Sequence, residues 1–167
     1  MELTDILPLE KWVELENDIH KRSGLESNIF NTDGIRITDN KVWVNKLCPS
    51  IKATAKGQAF ICAVAHMNLT NQARDQKKAV IEACDAGLMK IVVPIFVDGS
   101  FIGAVGACGL LPDGGEVDSF LVNKMTDIDE AEIAALAEDI AVIETRSAEE
   151  VAQFVWEKIE AIVANNA

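Results

Sequence analysis

LMKIVVPIFVDGSFIGAVGAC, running from Leu88 to Cys108, is the stretch on which the fold turns. Leu88 to Val97 and Phe101 to Cys108 are rich in β-branched and apolar residues, and Asp98-Gly99 between them supplies the chemistry of a tight turn, so the stretch reads as a β-hairpin. Pro94 has no N–H to give a ladder, and its strand is therefore expected to be at an edge there or bulged. Gly103, Gly106 and Gly109 thin the partner strand and leave room for something to approach its backbone.

Upstream of the hairpin, Val80 to Cys84 reads as a strand and Asp85-Ala86-Gly87 as a turn. Before them, Thr54 is expected to cap a long helix reaching about Gln72, with Ala59, Phe60, Ala63, Val64 and Met67 forming a broad apolar face. Between Ala59 and Met67 the pattern is apolar almost all round, the mark of a helix buried on more than one side, lying across a sheet and lining an interior site. Earlier still, Asn28 to Phe30, Ile35 to Ile37 and Val42 to Val44 alternate with Asp33-Gly34 and Asp39-Asn40, a pattern read as a small antiparallel meander ended by Cys48-Pro49. A first helix starts near Pro8, carries Leu9, Trp12, Val13 and Ile19 on one face, and stops at Gly24. Downstream, the loop Leu111 to Glu116 leads into helical patterns around Val117 to Lys124 and Asp129 to Asp139. A final helix opens on the capping box Ser147-x-x-Glu150 and buries Val151, Phe154, Val155 and Ile159. The order of elements implies one α+β domain over residues 1–167, a central antiparallel sheet with a long helix across it and helices at both ends.

The chain has 167 residues, and its 15 Lys and Arg against 27 Asp and Glu give a formal net charge of −12. Without a basic patch beyond Lys77-Lys78, neither nucleic acid nor an anionic membrane surface is an expected partner. The apolar run Ile91 to Val97 is far short of the roughly 20 residues that span a bilayer. Met1 to Pro8 carries Glu2 and Asp5 and lacks the basic and apolar regions of a secretory signal, which points to the cytoplasm. In that compartment the four cysteines, Cys48, Cys62, Cys84 and Cys108, are expected as thiols or ligands rather than disulfides.

Cys62 and His66 stand i and i+4 on the long helix, a spacing that lets two side chains converge. Cys48 precedes that helix, Cys84 ends the following strand and Cys108 ends the hairpin, so all five can meet near one end of the sheet. A thiolate-rich site with one imidazole suits zinc, iron, heme or an iron–sulfur cluster, although no Cys-x-x-Cys occurs. The alternative is that free cysteines act as small buried hydrophobes. A Cys62/His66 nucleophilic dyad is disfavoured because an apolar helix surface favours the neutral thiol, and no hydrolase, metalloprotease or phosphate-loop motif accompanies it. No enzyme is expected. His20 suits the C-terminus of the first helix, Asp85 is a turn residue or a hydrogen-bonding partner for a polar ligand, and Trp43 and Phe60 are core packing or pocket walls. The acidic residues from Glu116 to Asp139 read as solvated helix faces and do not space as a calcium loop.

Leu47-Cys48-Pro49, Gly57 to Cys62, Cys84-Asp85-Ala86-Gly87-Leu88, Val93-Pro94-Ile95 and Asp98-Gly99 before Ile102-Gly103 together resemble the PocR-type ligand-binding sensory domain. The resemblance covers about residues 27–110 and implies a PAS/GAF-like α+β fold that senses a small molecule, with simple hydrocarbon derivatives such as diols or short alcohols suggested. It points to Cys48, Cys62, Cys84 and the Gly87-Leu88 turn as site-forming positions, beside Phe60, His66, Asp85 and Cys108 from the residue reading. His66 and Cys108 keep the metal or redox-sensor alternative open. With no fused output segment in the sequence, a stand-alone sensor or one acting through a signalling partner is expected, and the apolar faces of the first and last helices suit a homodimer.

Overall fold

The computed structural model describes residues 1–166. The elements run α1 Leu3–Ile6, α2 Leu9–Ser23, β1 Glu26–Asn31, α3 Leu47–Lys52 and α4 Ala55–Gly57, then a π-helical segment Gln58–Ala63 that continues into α5 Val64–Gln76. After them come β2 Val80–Ala83, β3 Met89–Val97, β4 Ser100–Pro112, α6 Ser119–Thr126, α7 Glu130–Ala137, β5 Val142–Ile143 and α8 Thr145–Asn166. Four strands form an antiparallel sheet in the order β1-β4-β3-β2, and β5 pairs in parallel with the end of β4. The fold is α+β, with helices around an antiparallel sheet, consistent with a PAS/GAF-like architecture.

The β3–β4 hairpin forms as its sequence dictates, with Asp98 and Gly99 both at positive φ in the turn. Pro94 sits where β3 has lost its outer neighbour, because β2 reaches only to the pair Val80 with Val92, so the missing N–H faces no partner. Alternation along the strands sorts side chains to two faces. Ile29, Ile91, Val93, Ile95 and Val105 join Trp12, Ile19, Val151 and Val155 in the main core under α2 and α8. Trp12 is fully buried there, its indole N–H donating to the Leu3 carbonyl at 3.1 Å. The other face carries Val92 and Ala104 against Leu69 and Ala73 of α5.

Several local expectations change. The meander of residues 27–45 is one true strand, β1, with only an isolated bridge from Phe30 to Arg36 beside it. The Asn31 side chain accepts from the N–H groups of Asp33 and Ile35 and closes a tight loop; on the outer edge of β1 the Asn31 N–H donates to the Ile35 carbonyl and the Ile37 N–H to the Ile29 carbonyl, while the Ile29 N–H donates to the Glu16 carboxylate. Val42 to Val44 forms no strand: Val44 packs on the main core and Asn45 holds the Gly109 carbonyl at 2.7 Å. Cys48-Pro49 begins a helix instead of ending order, because a proline in the first helical turn removes an N–H that has no intrahelical partner there. Thr54 caps as expected, accepting from Gly57 N–H at 2.9 Å, and the helical run continues to Gln76. Phe60 and Met67, expected to be buried, are 52% and 56% exposed, so the apolar surface of the 55–76 run is only partly covered by the sheet. The last helix starts at Thr145, ahead of the Ser147-x-x-Glu150 box, and places Ser147 inside its first turn.

Candidate functional site

Between the sheet and the 55–76 helix lies a cavity of about 480 Å³. Its floor is built by alternation on three strands. Glu26, Asn28 and Phe30 of β1 face it, as do Cys108 of β4 and Lys90 of β3, with Leu88 just ahead of that strand. Glu26 and Lys90 both pair with Cys108, one from each side, and so form a single row across the sheet. Ile61, Cys62, Ala65, His66, Met67 and Thr70 form the roof, the turn at Thr32 to Gly34 closes one side, and Cys48, Lys52 and Cys84 close the other.

The row is possible because of a bulge. Met89 pairs with Leu110 and Lys90 with Cys108, which leaves Gly109 as the extra residue, at φ +108°. A Cβ there would stand 2.5 Å from Val44 Cγ2, so the glycine allows the 42–46 segment to close over the end of the floor.

Buried polarity around the cavity is unusual. Glu26 is 2% exposed, and Lys90 and His66 are each 7% exposed. Glu26 Oε1 and His66 Nδ1 have no hydrogen-bond partner among the described residues. An unsatisfied buried polar group costs about 1–3 kcal/mol. The two buried carboxylates, Glu16 and Glu26, share Arg36, whose Nη2 and Nη1 stand 3.9 Å from each. Lys90 makes no ion pair among the described residues, and its ammonium lies 6.0 Å from the Phe30 ring centroid, within reach of a weak cation–π attraction. His66 stacks on the same ring with centroids 3.7 Å apart, and its Nε2 lies 3.4 Å from Thr70 Oγ1. Burial, helped by the nearby Lys90 charge, lowers the His66 pKa to about 3, so the imidazole is neutral at physiological pH.

Of the residues singled out in the sequence, Cys48, Cys62, His66, Cys84 and Cys108 all line this cavity. Phe60, Asp85 and Gly87 do not: Phe60 points to solvent, and Asp85 and Gly87 occupy the β2–β3 turn outside the lining. Gly87 has a backbone role, with φ +91° and a position where a Cβ would come within 2.4 Å of the Glu116 carbonyl oxygen. The regular α register on which the Cys62 and His66 spacing was reasoned begins only at Val64, because Cys62 belongs to the wider π-helical segment. Among the described residues no three Cys, His, Asp or Glu side chains stand close enough to hold a metal ion. The thiols and the imidazole thus share one cavity without forming such a group among the described residues.

Nor is the thiol set that of an activated nucleophile. Burial, aided by the neighbouring Cys108, pushes the Cys48 thiol up to about 12, even though Asn45 Nδ2 donates to its sulfur at 3.2 Å. Burial likewise pushes Cys62 up to about 11 against the opposing charge of Lys52, and raises Cys84. A neutral thiol near a neutral imidazole lacks the thiolate that attacks. Alkylation of Cys62 in the folded protein near pH 8 is therefore expected to run roughly 100-fold slower than in the denatured chain, following the thiolate fraction. Mass spectrometry on a time course of iodoacetamide labelling measures this, and labelling of Cys62 at the denatured rate would show an activated thiol instead.

Glu26, Asn28, Lys90 and Thr70 also line the cavity and were not singled out from the sequence as site residues, whereas Met67 was read only as part of the apolar helix face. For Lys90 a signal was available, namely a lone cation inside a run otherwise apolar at every position from Leu88 to Val97. Such a run marks a strand buried on both faces, where a charge needs a partner. Glu26 carried no comparable mark, standing in the polar context of Glu26-Ser27-Asn28.

A family model described as the sensory domain found in PocR matches residues 5–167. No curated protein matches the chain.

Proposed function

This chain belongs to the PocR sensory-domain family, and on that premise we propose that it senses a small organic molecule held between the sheet and the 55–76 helix. The ligand class is a simple hydrocarbon derivative of a few carbons, such as a short alcohol, diol, aldehyde or acid. The observation that carries this reading is the cavity itself: about 480 Å³, within the range of small-ligand sites, with a floor that presents buried Glu26, Asn28 and Lys90 and a roof that is apolar apart from a few groups such as buried His66. Apolar walls take the carbon skeleton, and the few polar groups orient it. The role is signalling rather than catalysis, which agrees with thiols held neutral by burial.

Ligand binding acts on one face of the sheet while α2 and α8 pack on the other, so a shift in the strands is transmitted to the helices at both ends of the chain. The ligand must favour one arrangement over the other to signal, and the difference in affinity sets the size of the response. The output passes to a partner protein or to a second copy of this chain. No helix among the described residues is long and apolar enough to cross a membrane. We place the protein in the cytoplasm, where its thiols stay reduced.

Thermal unfolding of the purified chain with a panel of alcohols, diols, aldehydes and acids of two to six carbons tests the proposal. A binder present at about 100 times its Kd raises stability by about 2.7 kcal/mol, which displaces the melting curve clearly. If no member of the panel at millimolar concentration moves the midpoint or gives heat on titration, the cavity does not serve this class of ligand.

A further inference from the structure

We propose that the ligand is a small organic acid, its carboxylate received by Lys90 and its far end offering a hydrogen-bond donor to Glu26. This deepens the preceding reading and rests on the cavity being the ligand site. Lys90 and Glu26 flank Cys108 in one row of the sheet, two strand spacings apart, so about 10 Å separates their Cα atoms. Their side chains make no ion pair with each other, and both line the cavity. That separation suits a ligand of three to five carbons lying along the row, over the small side chain of Cys108.

The charges of the floor differ in what already answers them. Behind Glu26 stands Arg36 at 3.9 Å, a counter-charge on its far side, while Glu26 Oε1 still lacks a donor. Lys90, 7% exposed, has no carboxylate in ion-pair range among the described residues. A buried cation with an open side toward a cavity is completed best by an anion, and an ammonium–carboxylate hydrogen bond is about twice as strong as a neutral one. A hydroxyl at the other end of the same molecule gives Glu26 Oε1 the donor it lacks. Above the row, His66 Nδ1 is a second unpartnered group, and the neutral ring imposes no competing charge on the ligand. An α,ω-diol fits the same space, but it leaves the ammonium facing a neutral oxygen.

The test is calorimetric titration of the full chain with the ω-hydroxy acids of propane, butane and pentane, each matched with the α,ω-diol of the same length. The expected result is that the best acid binds about tenfold or more tightly than its diol, the range of a hydrogen bond to a charged group. In Lys90→Met that preference is lost, and Lys90→Arg, which keeps the charge, keeps the preference. If the diol binds as well as the acid, or if Lys90→Met leaves the preference intact, the assignment of Lys90 falls while the small-molecule reading stands. If neither acids nor diols bind, and the wider panel is silent as well, both fall. Should Lys90→Met not melt cooperatively, Lys90→Gln takes its place in the same comparison, and Lys52→Met, which leaves the preference unchanged, separates Lys90 from the other lysine of the lining.

Discussion

Replacing Arg36 with Met is expected to destabilise the domain by about 3–5 kcal/mol at neutral pH, the usual cost of leaving a buried charge without its partner. Arg36 is 14% exposed by side chain and stands between Glu16 and Glu26, whose side chains are 1% and 2% exposed. Its loss exposes each carboxylate to the full desolvation penalty. Glu16 also accepts from the Ile29 N–H at 3.0 Å and from the Thr38 hydroxyl at 2.5 Å, so it ties α2 to the outer edge of β1 and cannot simply turn to solvent. Burial already raises the Glu16 pKa above 4.5 even with Arg36 in place. A carboxyl raised in the folded state contributes stability that is present below its unfolded pKa and is lost as pH rises through the folded one. The Arg36→Met defect should therefore be smallest in mild acid and grow toward neutrality, and Glu16→Gln should relieve part of it. Urea unfolding at a series of pH values measures both. A loss below about 1 kcal/mol, unchanged with pH, would mean that the two carboxylates do not depend on Arg36.

His66 makes the opposite pH dependence. Its imidazole is lowered from 6.5 to about 3, by burial first and the Lys90 charge second. Below pH 6.5 the unfolded chain binds a proton on His66 that the folded chain refuses, so folding stability falls as the pH is lowered. Between pH 6.5 and about pH 4 this one group removes about 3 kcal/mol, at 1.36 kcal/mol per unit. Other groups, Glu16 among them, titrate over the same range, so the measurement is the difference between the wild type and His66→Gln. The gap should widen by about 3 kcal/mol to the wild type's disadvantage as the pH falls. Parallel profiles would show that His66 protonates normally in the folded state, and an NMR titration of the ring protons gives the same answer directly.

Both effects arise from polar groups that a tertiary fold forces out of water, and they show where a linear reading of the chain stops. The β3–β4 hairpin was legible because its information is local: Asp98-Gly99 sets the turn and the flanking runs set the strands. The cap at Thr54 and the stop at Gly24, at φ +74°, were legible for the same reason. Of the segment 35–46, Ile35 to Ile37 does pair briefly with β1, whereas Val42 to Val44 was misread because alternation of apolar residues signals half-burial, not pairing, and there the packing came without a ladder. Phe60 was misread because an all-round apolar helix surface does not say which side the sheet will cover.

The four cysteines and His66 were picked out as a group, and the fold does bring them to one cavity. What joins them is strand alternation and helix phase, since the groups do not converge on one atom. The π-helical turn at Gln58–Ala63 shifts that phase, and hydrogen bonding of i to i+5 leaves no clear mark in composition.

From its residues alone, the chain determined the class of fold, the central hairpin, the helix that lies over it and the set of thiols grouped around one histidine. Those features follow from turn chemistry, capping and periodicity, which act within a few residues. Only the tertiary structure decided that Glu26 and Lys90 share a row across Cys108, that Arg36 answers two buried carboxylates and not Lys90, and that Phe60 lies outside the cavity. The reason is register. Pairing between distant strands, shifted by the bulge at Gly109, selects which side chains meet, and a displacement of one residue would have turned each of them to the opposite face.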